Sequence, residues 1–152
     1  MGSTLVVFAV ATLGLSAGAV LAEGAVLIPF WRSLEPDSFL AWYRRHATLL
    51  FWFFGPLEVI AATLAILAAL VGWRGGDAGS ELLVGSAVLA VLVLAAFPLY
   101  FERANASFAE ATIAPAAVAM ELRRYSRWHW TRVAFAVAAF MLAVVAVRDQ
   151  KC

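Results

Sequence analysis

Apolar residues fall along this chain in four long blocks separated by short polar breaks. The first, 4–31, has Glu23 as its one charged member. The second, 49–73, contains Pro56, which predicts a kink. Gly75-Gly76-Asp77-Ala78-Gly79 then predicts a tight turn. Ser80 and Glu81 open the third block, 82–101, whose helix is expected to run on to Ile113 before Ala114-Pro115 stops it. The fourth, 128–147, spans only if Trp128–Arg132 sits at the interface. Crossing a hydrocarbon core of about 30 Å takes about 20 helical residues, so each block qualifies as a membrane helix. Glu35-Pro36-Asp37 reads as a helix start, with amphipathic turns over Phe39-Leu40 and Trp42-Tyr43 that can run into the second block. A further helical stretch is expected over 115–125. The pattern predicts an all-α, integral membrane four-helix bundle in one domain, with helical extensions beyond the membrane on one side.

Composition agrees. The chain is 64% apolar and 14% charged over 152 residues, where a soluble domain would be about half apolar and a quarter charged. Lipid is therefore the expected solvent for most of its surface. A net charge of +1 speaks against a nucleic-acid partner. One cysteine, Cys152, allows neither a disulfide framework nor a cysteine metal site within the chain. Met1-Gly2-Ser3 carries no Lys or Arg, and the apolar run continues past Ala22 to Phe30. The first block thus reads as a span and not as a leader cleaved after Ala22.

Four crossings put both termini on one side. Arg32, Arg44, Arg45, Arg103, Arg123, Arg124, Arg127 and Arg132 fall in or beside the connections after blocks one and three; Arg74, Arg148 and Lys151 fall on the other side. The positive-inside rule then expects those two connections in the cytoplasm and both termini outside, in the cell's inner or plasma membrane. Five tryptophans, Trp31, Trp42, Trp52, Trp128 and Trp130, lie toward the arginine-rich side, against Trp73 on the other. An aromatic belt accounts for some of them, and the surplus suits a pocket for a hydrophobic aromatic molecule.

The ionisable residues inside the blocks carry the chemistry. A carboxylate at membrane depth costs several kcal/mol unless paired, protonated or hydrated, so Glu23 and Glu58 stand out. Each borders small residues that permit close helix packing: Gly14, Gly18 and Ala22 near Glu23, and Gly55, Ala61, Ala62 and Ala65 near Glu58. Glu102 and Asn105 share a helix face, as do His129 and Arg132. In an up-down-up-down bundle all of these approach one end. Structural duties compete with functional ones: Glu23 pairing with Arg132 or Arg103, and Glu58 as a protonated acid bonded to a backbone carbonyl. Glu110 and Glu121 are expected to pair with nearby arginines. His46, beside Arg44 and Arg45, reads as an interfacial residue. Glu23, Glu58, Glu102 and His129 offer one metal ligand from each helix, without the Glu-x-x-His pairs of di-metal bundles. The cofactor is accordingly either none or a divalent transition metal such as Fe, Cu, Mn or Zn.

The chain resembles the anthrone oxygenase-like family of small four-helix membrane proteins. The resemblance rests on the small-residue first helix leading into a polar connection (Gly18 to Arg32), on Trp42-Tyr43-Arg44-Arg45, on Pro98 followed by Asn105, and on Trp128-His129-Trp130-Thr131-Arg132. The interval from Pro98 to Asn105 is longer than the family's. The resemblance implies oxidation of a phenolic or aromatic methylene by O₂. It assigns the base to His129, the anion stabiliser to Arg132 or Asn105, and the substrate walls to Trp52, Tyr100, Trp128 and Trp130, with Glu23 or Glu58 orienting groups or relaying protons. The rival readings are a proton-coupled carrier of small molecules, which with four helices would need a homo-oligomer for alternating access, and a non-catalytic membrane subunit.

Overall fold

In the computed structural model, residues Gly2–Asp149 are described; Lys151 and Cys152 lie outside them. The chain forms four helical rods. The first joins α1 (Gly2–Ala22), a π-helical stretch (Glu23–Leu27) and α2 (Ile28–Ser33). The second is α3 (Pro36–Gly75), continuous through Pro56. The third joins α4 (Ser80–Ala96), a second π-helical stretch (Phe97–Phe101) and α5 (Glu102–Ala109), and the fourth is α6 (Pro115–Asp149). The described chain contains no strand. All four rods are long and apolar enough to cross a membrane, and the fold is an all-α up-down-up-down bundle.

Local chemistry explains the breaks. Pro36 and Pro115 open their helices, where a missing N–H costs nothing. Gly76 ends α3 in the left-handed conformation at φ 66°, its N–H and that of Asp77 reaching back to the last turn's carbonyls. The third rod ends at Ala109, short of the expected Ile113, because the chain turns at Ala111 with φ 51°. The side chain of Arg44 donates to the carbonyls of Ala109 and Glu110 there. That arginine caps a helix end.

The rods pack differently at their two ends. Toward the termini, Ala61, Ala65, Ala68 and Gly72 of α3 and Ala136, Ala139, Ala143 and Ala146 of α6 form buried stripes at helical spacing. Such small side chains let helices approach closely where lipid supplies no hydrophobic drive between them. Toward the Ser33–Pro36 connection the core turns aromatic: Trp31, Phe39, Tyr43, Phe101, Phe108 and Tyr125 are buried against one another. Outside, large apolar side chains such as Phe8, Leu15, Phe53, Ile60, Leu70 and Val88 are exposed. In water such a surface would be a liability, whereas in lipid it is the expected exterior. The protein is an integral, multi-pass membrane protein.

Candidate functional site

The two π-helical stretches lie on the first and third rods, where the small-residue packing gives way to the aromatic core. At Pro98 the cause is plain, since proline brings no N–H and its ring crowds the preceding turn. The widened turn takes up the misfit, closing on a bond from the Glu102 N–H to the Phe97 carbonyl. It also sets a register. Phe97 and Asn105 are eight residues apart, while two α-turns take about 7.2. The extra residue absorbed by the π turn leaves both on the wall of one cavity. The stretch Glu23–Leu27 likewise opens on buried Glu23 and leads to buried Trp31.

Four side chains from three rods meet here. Arg132 on α6 is the hub. Its Nη2 donates to Glu23 Oε2 at 2.8 Å and to His129 Nδ1 at 3.2 Å, and its Nη1 lies 3.5 Å from Glu58 Oε1. The guanidinium also lies over the Phe101 ring, 4.5 Å from its centroid. Tyr125 donates to the other oxygen of Glu23 at 3.3 Å. Glu23, Glu58 and Arg132 are only 4%, 6% and 6% exposed, and His129 is fully buried. Two carboxyls thus flank one guanidinium at membrane depth, the pairing that makes such charges tolerable.

His129 is held at both nitrogens. Its Nε2 lies 2.7 Å from the Val20 carbonyl, which can only accept, so Nε2 carries the proton and Nδ1 receives the Arg132 N–H. Gly24 makes room for this ring: a Cβ there would lie 3.0 Å from His129 Cδ2 and 3.2 Å from Nε2. Because both ring nitrogens are committed, the ring has little freedom to yield. Gly24→Ala should therefore destabilise the protein by about 1–3 kcal/mol through overpacking, despite alanine's better helix propensity. Reversible denaturation in detergent, with a His129→Ala background expected to remove most of the penalty, checks this.

The cluster closes the inner end of a cavity of about 760 Å³ between α3 on one side and α4 and α5 on the other. Glu23, Glu58, Asn105, Tyr125 and Arg132 line it together with Tyr43, Phe51, Trp52, Phe54 and Phe97. Three buried polar atoms of these residues have no hydrogen-bond partner among the described residues: Glu58 Oε1, Asn105 Oδ1 and Arg132 Nε.

The structure therefore gathers Glu23, Glu58, His129 and Arg132, and brings Asn105 and Trp52 to the same cavity. Other expected placements are corrected. His129 does not line the cavity, and its nitrogens are committed within the protein, so it is placed to position Arg132 rather than to take a substrate proton. Tyr100, Trp128 and Trp130 are not cavity walls: Tyr100 stacks on Trp128 at 5.2 Å and donates to Glu121, and Trp130 is 44% exposed elsewhere. Glu121 thus takes a tyrosine hydroxyl in place of an arginine. His46 stacks on Trp42 and contacts its carbonyl. The four-ligand metal set does not form. Glu102 is exposed, Arg132 takes the space between Glu23 and Glu58, and among the described residues no group of three or more His, Cys, Asp or Glu is placed to hold a metal ion.

Tyr43, which belongs to the Trp42-Tyr43-Arg44-Arg45 motif, and Tyr125 have no site role among the sequence-based expectations, although the sequence holds the signal. Residues 43, 47, 50, 54 and 58 follow helical spacing down α3, and 125, 129 and 132 do so on α6. Extending each stripe backward from its charged residue leads to the tyrosines.

No family model, curated protein or solved structure matches the chain. Fold and site together define an integral membrane helical bundle with an apolar, aromatic-walled cavity ending in a buried carboxyl–guanidinium–carboxyl cluster.

Proposed function

We propose that the protein is a membrane oxidoreductase that oxidises an activated methylene of a hydrophobic aromatic substrate with O₂, as the resemblance to anthrone oxygenases implies. The observation that carries this reading is the seating of the Glu58 carboxylate, whose Oε1 lies 3.5 Å from Arg132 Nη1 and accepts no hydrogen bond among the described residues, at the inner end of an aromatic-lined cavity. Glu58 is the base. It removes a proton from the methylene, and Arg132, held in place by Glu23 and His129, stabilises the resulting enolate-type anion. The anion gives its electrons to O₂. One C=O is formed from the CH₂, both its hydrogens leave in water, and CH₂ plus O₂ is balanced by C=O plus H₂O. The test is oxygen uptake by the purified protein in lipid nanodiscs with an anthrone, ketone formation being followed in parallel. One O₂ consumed per ketone formed is expected, and uptake no faster than in empty discs overturns the reading.

We also propose, from the Lys and Arg count, that the 34–35 and 110–114 connections lie in the cytoplasm and both termini outside, in the inner or plasma membrane. The eight arginines counted on that side support it, although Arg132 serves the site and Arg44 caps a helix end. The chain's single cysteine, Cys152, gives a direct check. A membrane-impermeant maleimide should label it in intact cells, and labelling only after lysis would reverse the orientation.

A further inference from the structure

A second cavity, of about 210 Å³, lies where the 33–36 connection packs against the N-terminal turns of α6. Its floor is apolar: Val118 and Leu122 are buried, and Leu34 and Pro36 are half-buried beside them. Its charged lining residues are two arginines, Arg32 and Arg123. Both are exposed, and neither pairs with a carboxylate among the described residues. Glu35, Asp37 and Glu121, the acids nearest in sequence, do not line the cavity, and Glu121 is engaged by Tyr100. Arg123 Nε donates to the Ala119 carbonyl at 3.4 Å, which ties the side chain to its own helix and leaves the Nη groups for an outside partner.

The cavity stands at headgroup level. Arg123 and Arg148 are 25 residues apart on the unbroken helix α6, about 38 Å along its axis. A bilayer with its headgroup layers is about 40–45 Å thick, so with Arg148 in one polar layer Arg123 sits in the other. From there a groove between α6 and the first rod leads into the apolar region. Trp130 is two turns from Arg123 on the same face of α6 and is 44% exposed. It leans toward the first rod, its Cζ2 lying 3.5 Å from where a Gly24 Cβ would be. Guanidinium groups match phosphate oxygens in charge and in donor geometry. A phosphate comes either from a lipid or from water. A free ion gains nothing from apolar walls, whereas a phospholipid sets its glycerol against Leu34 and Val118 and its acyl chains along Trp130. The volume equals about seven waters at about 30 Å³ each, room for a phosphate and glycerol with the chains outside. A zwitterionic headgroup would bring a cation of its own toward two arginines, so a net negative lipid is favoured.

We infer that the cavity between Arg32 and Arg123 holds one anionic glycerophospholipid, its phosphate on the two guanidiniums and its chains in the groove beside Trp130. The inference is independent of the oxidation chemistry. To test it, the full chain in detergent is titrated with dioctanoyl phosphatidylglycerol, dioctanoyl phosphatidylcholine and inorganic phosphate, and bound molecules are counted by native mass spectrometry. One phosphatidylglycerol should bind per chain, about 30-fold more tightly than phosphatidylcholine, as two basic side chains at a membrane surface predict. Inorganic phosphate at the same concentration should neither bind nor displace it. Arg32→Gln/Arg123→Gln should reduce phosphatidylglycerol to the affinity of phosphatidylcholine. Arg45→Gln/Arg103→Gln, which removes two charges from the same end but outside the cavity, should leave the affinity unchanged. Ala119→Phe keeps both arginines but fills the cavity, and should weaken binding about tenfold. All of these side chains are exposed, so unfolding temperatures without added lipid should match the wild type. Equal affinity for the two lipids, equal losses in the two arginine pairs, or undiminished binding by Ala119→Phe would each overturn the inference. Saturation by phosphate alone would overturn it too, and would make the cavity a site for a free anion.

Discussion

Arg132→Leu is expected to cost about 3–5 kcal/mol of stability, among the largest effects of any single change in this protein. The arginine is the only cation paired with either Glu23 or Glu58 among the described residues, and all three are over nine-tenths buried. Removing one partner of a buried ion cluster strands the other charges in a low-dielectric interior, which is worth more than the net value of the pair. The loss should not be a simple sum of contacts. In the double variant Arg132→Leu/Glu23→Gln, one stranded charge is gone and more than half of the stability should return, an interaction a double-mutant cycle measures directly. Reversible unfolding in mixed detergent micelles gives the three free energies. A single-variant loss below about 1 kcal/mol would mean that the carboxyls are neutralised in some other way.

The second large effect separates the two carboxyls by function. Glu23 has both oxygens engaged, by Arg132 and Tyr125, whereas Glu58 has an oxygen without a hydrogen-bond partner and lines the cavity. If Glu58 is the base, Glu58→Gln should lower kcat for anthrone oxidation at least about 10²-fold, the usual worth of a general base, with KM little changed. Glu23→Gln should act mainly on stability, because its part is to hold Arg132 and Tyr125, and its rate loss should be the smaller. Rates from oxygen uptake, set beside unfolding curves for the same preparations, distinguish the two. Equal rate losses in the two variants would remove the assignment of base to Glu58. His129→Ala falls between them in this scheme, since the ring positions Arg132 without reaching the cavity.

Much of this protein is written in its apolar pattern. Four blocks of spanning length, two prolines at helix starts and a glycine-rich turn determine four rods and their order, since a membrane leaves the backbone few other ways to satisfy its hydrogen bonds. The small-residue stripes beside Glu58 and the i, i+3 pairing of His129 with Arg132 are equally local facts. From them the sequence alone points to a polar cluster at one end of the bundle. What it does not contain is which of those groups faces open space. Helical spacing places side chains on a face, but whether that face meets protein, lipid or a cavity depends on the neighbouring rods. Two π turns, each adding one residue to the count, moved Asn105 into line with Phe97 and accompany the burial of Glu23, shifts that ordinary α-helical counting misses. The resemblance assigns the base to His129. Only the tertiary structure, by setting Gly24 and the Val20 carbonyl against its ring, commits both its nitrogens beside Arg132 and leaves Glu58, which lines the cavity, with an oxygen that accepts no hydrogen bond among the described residues.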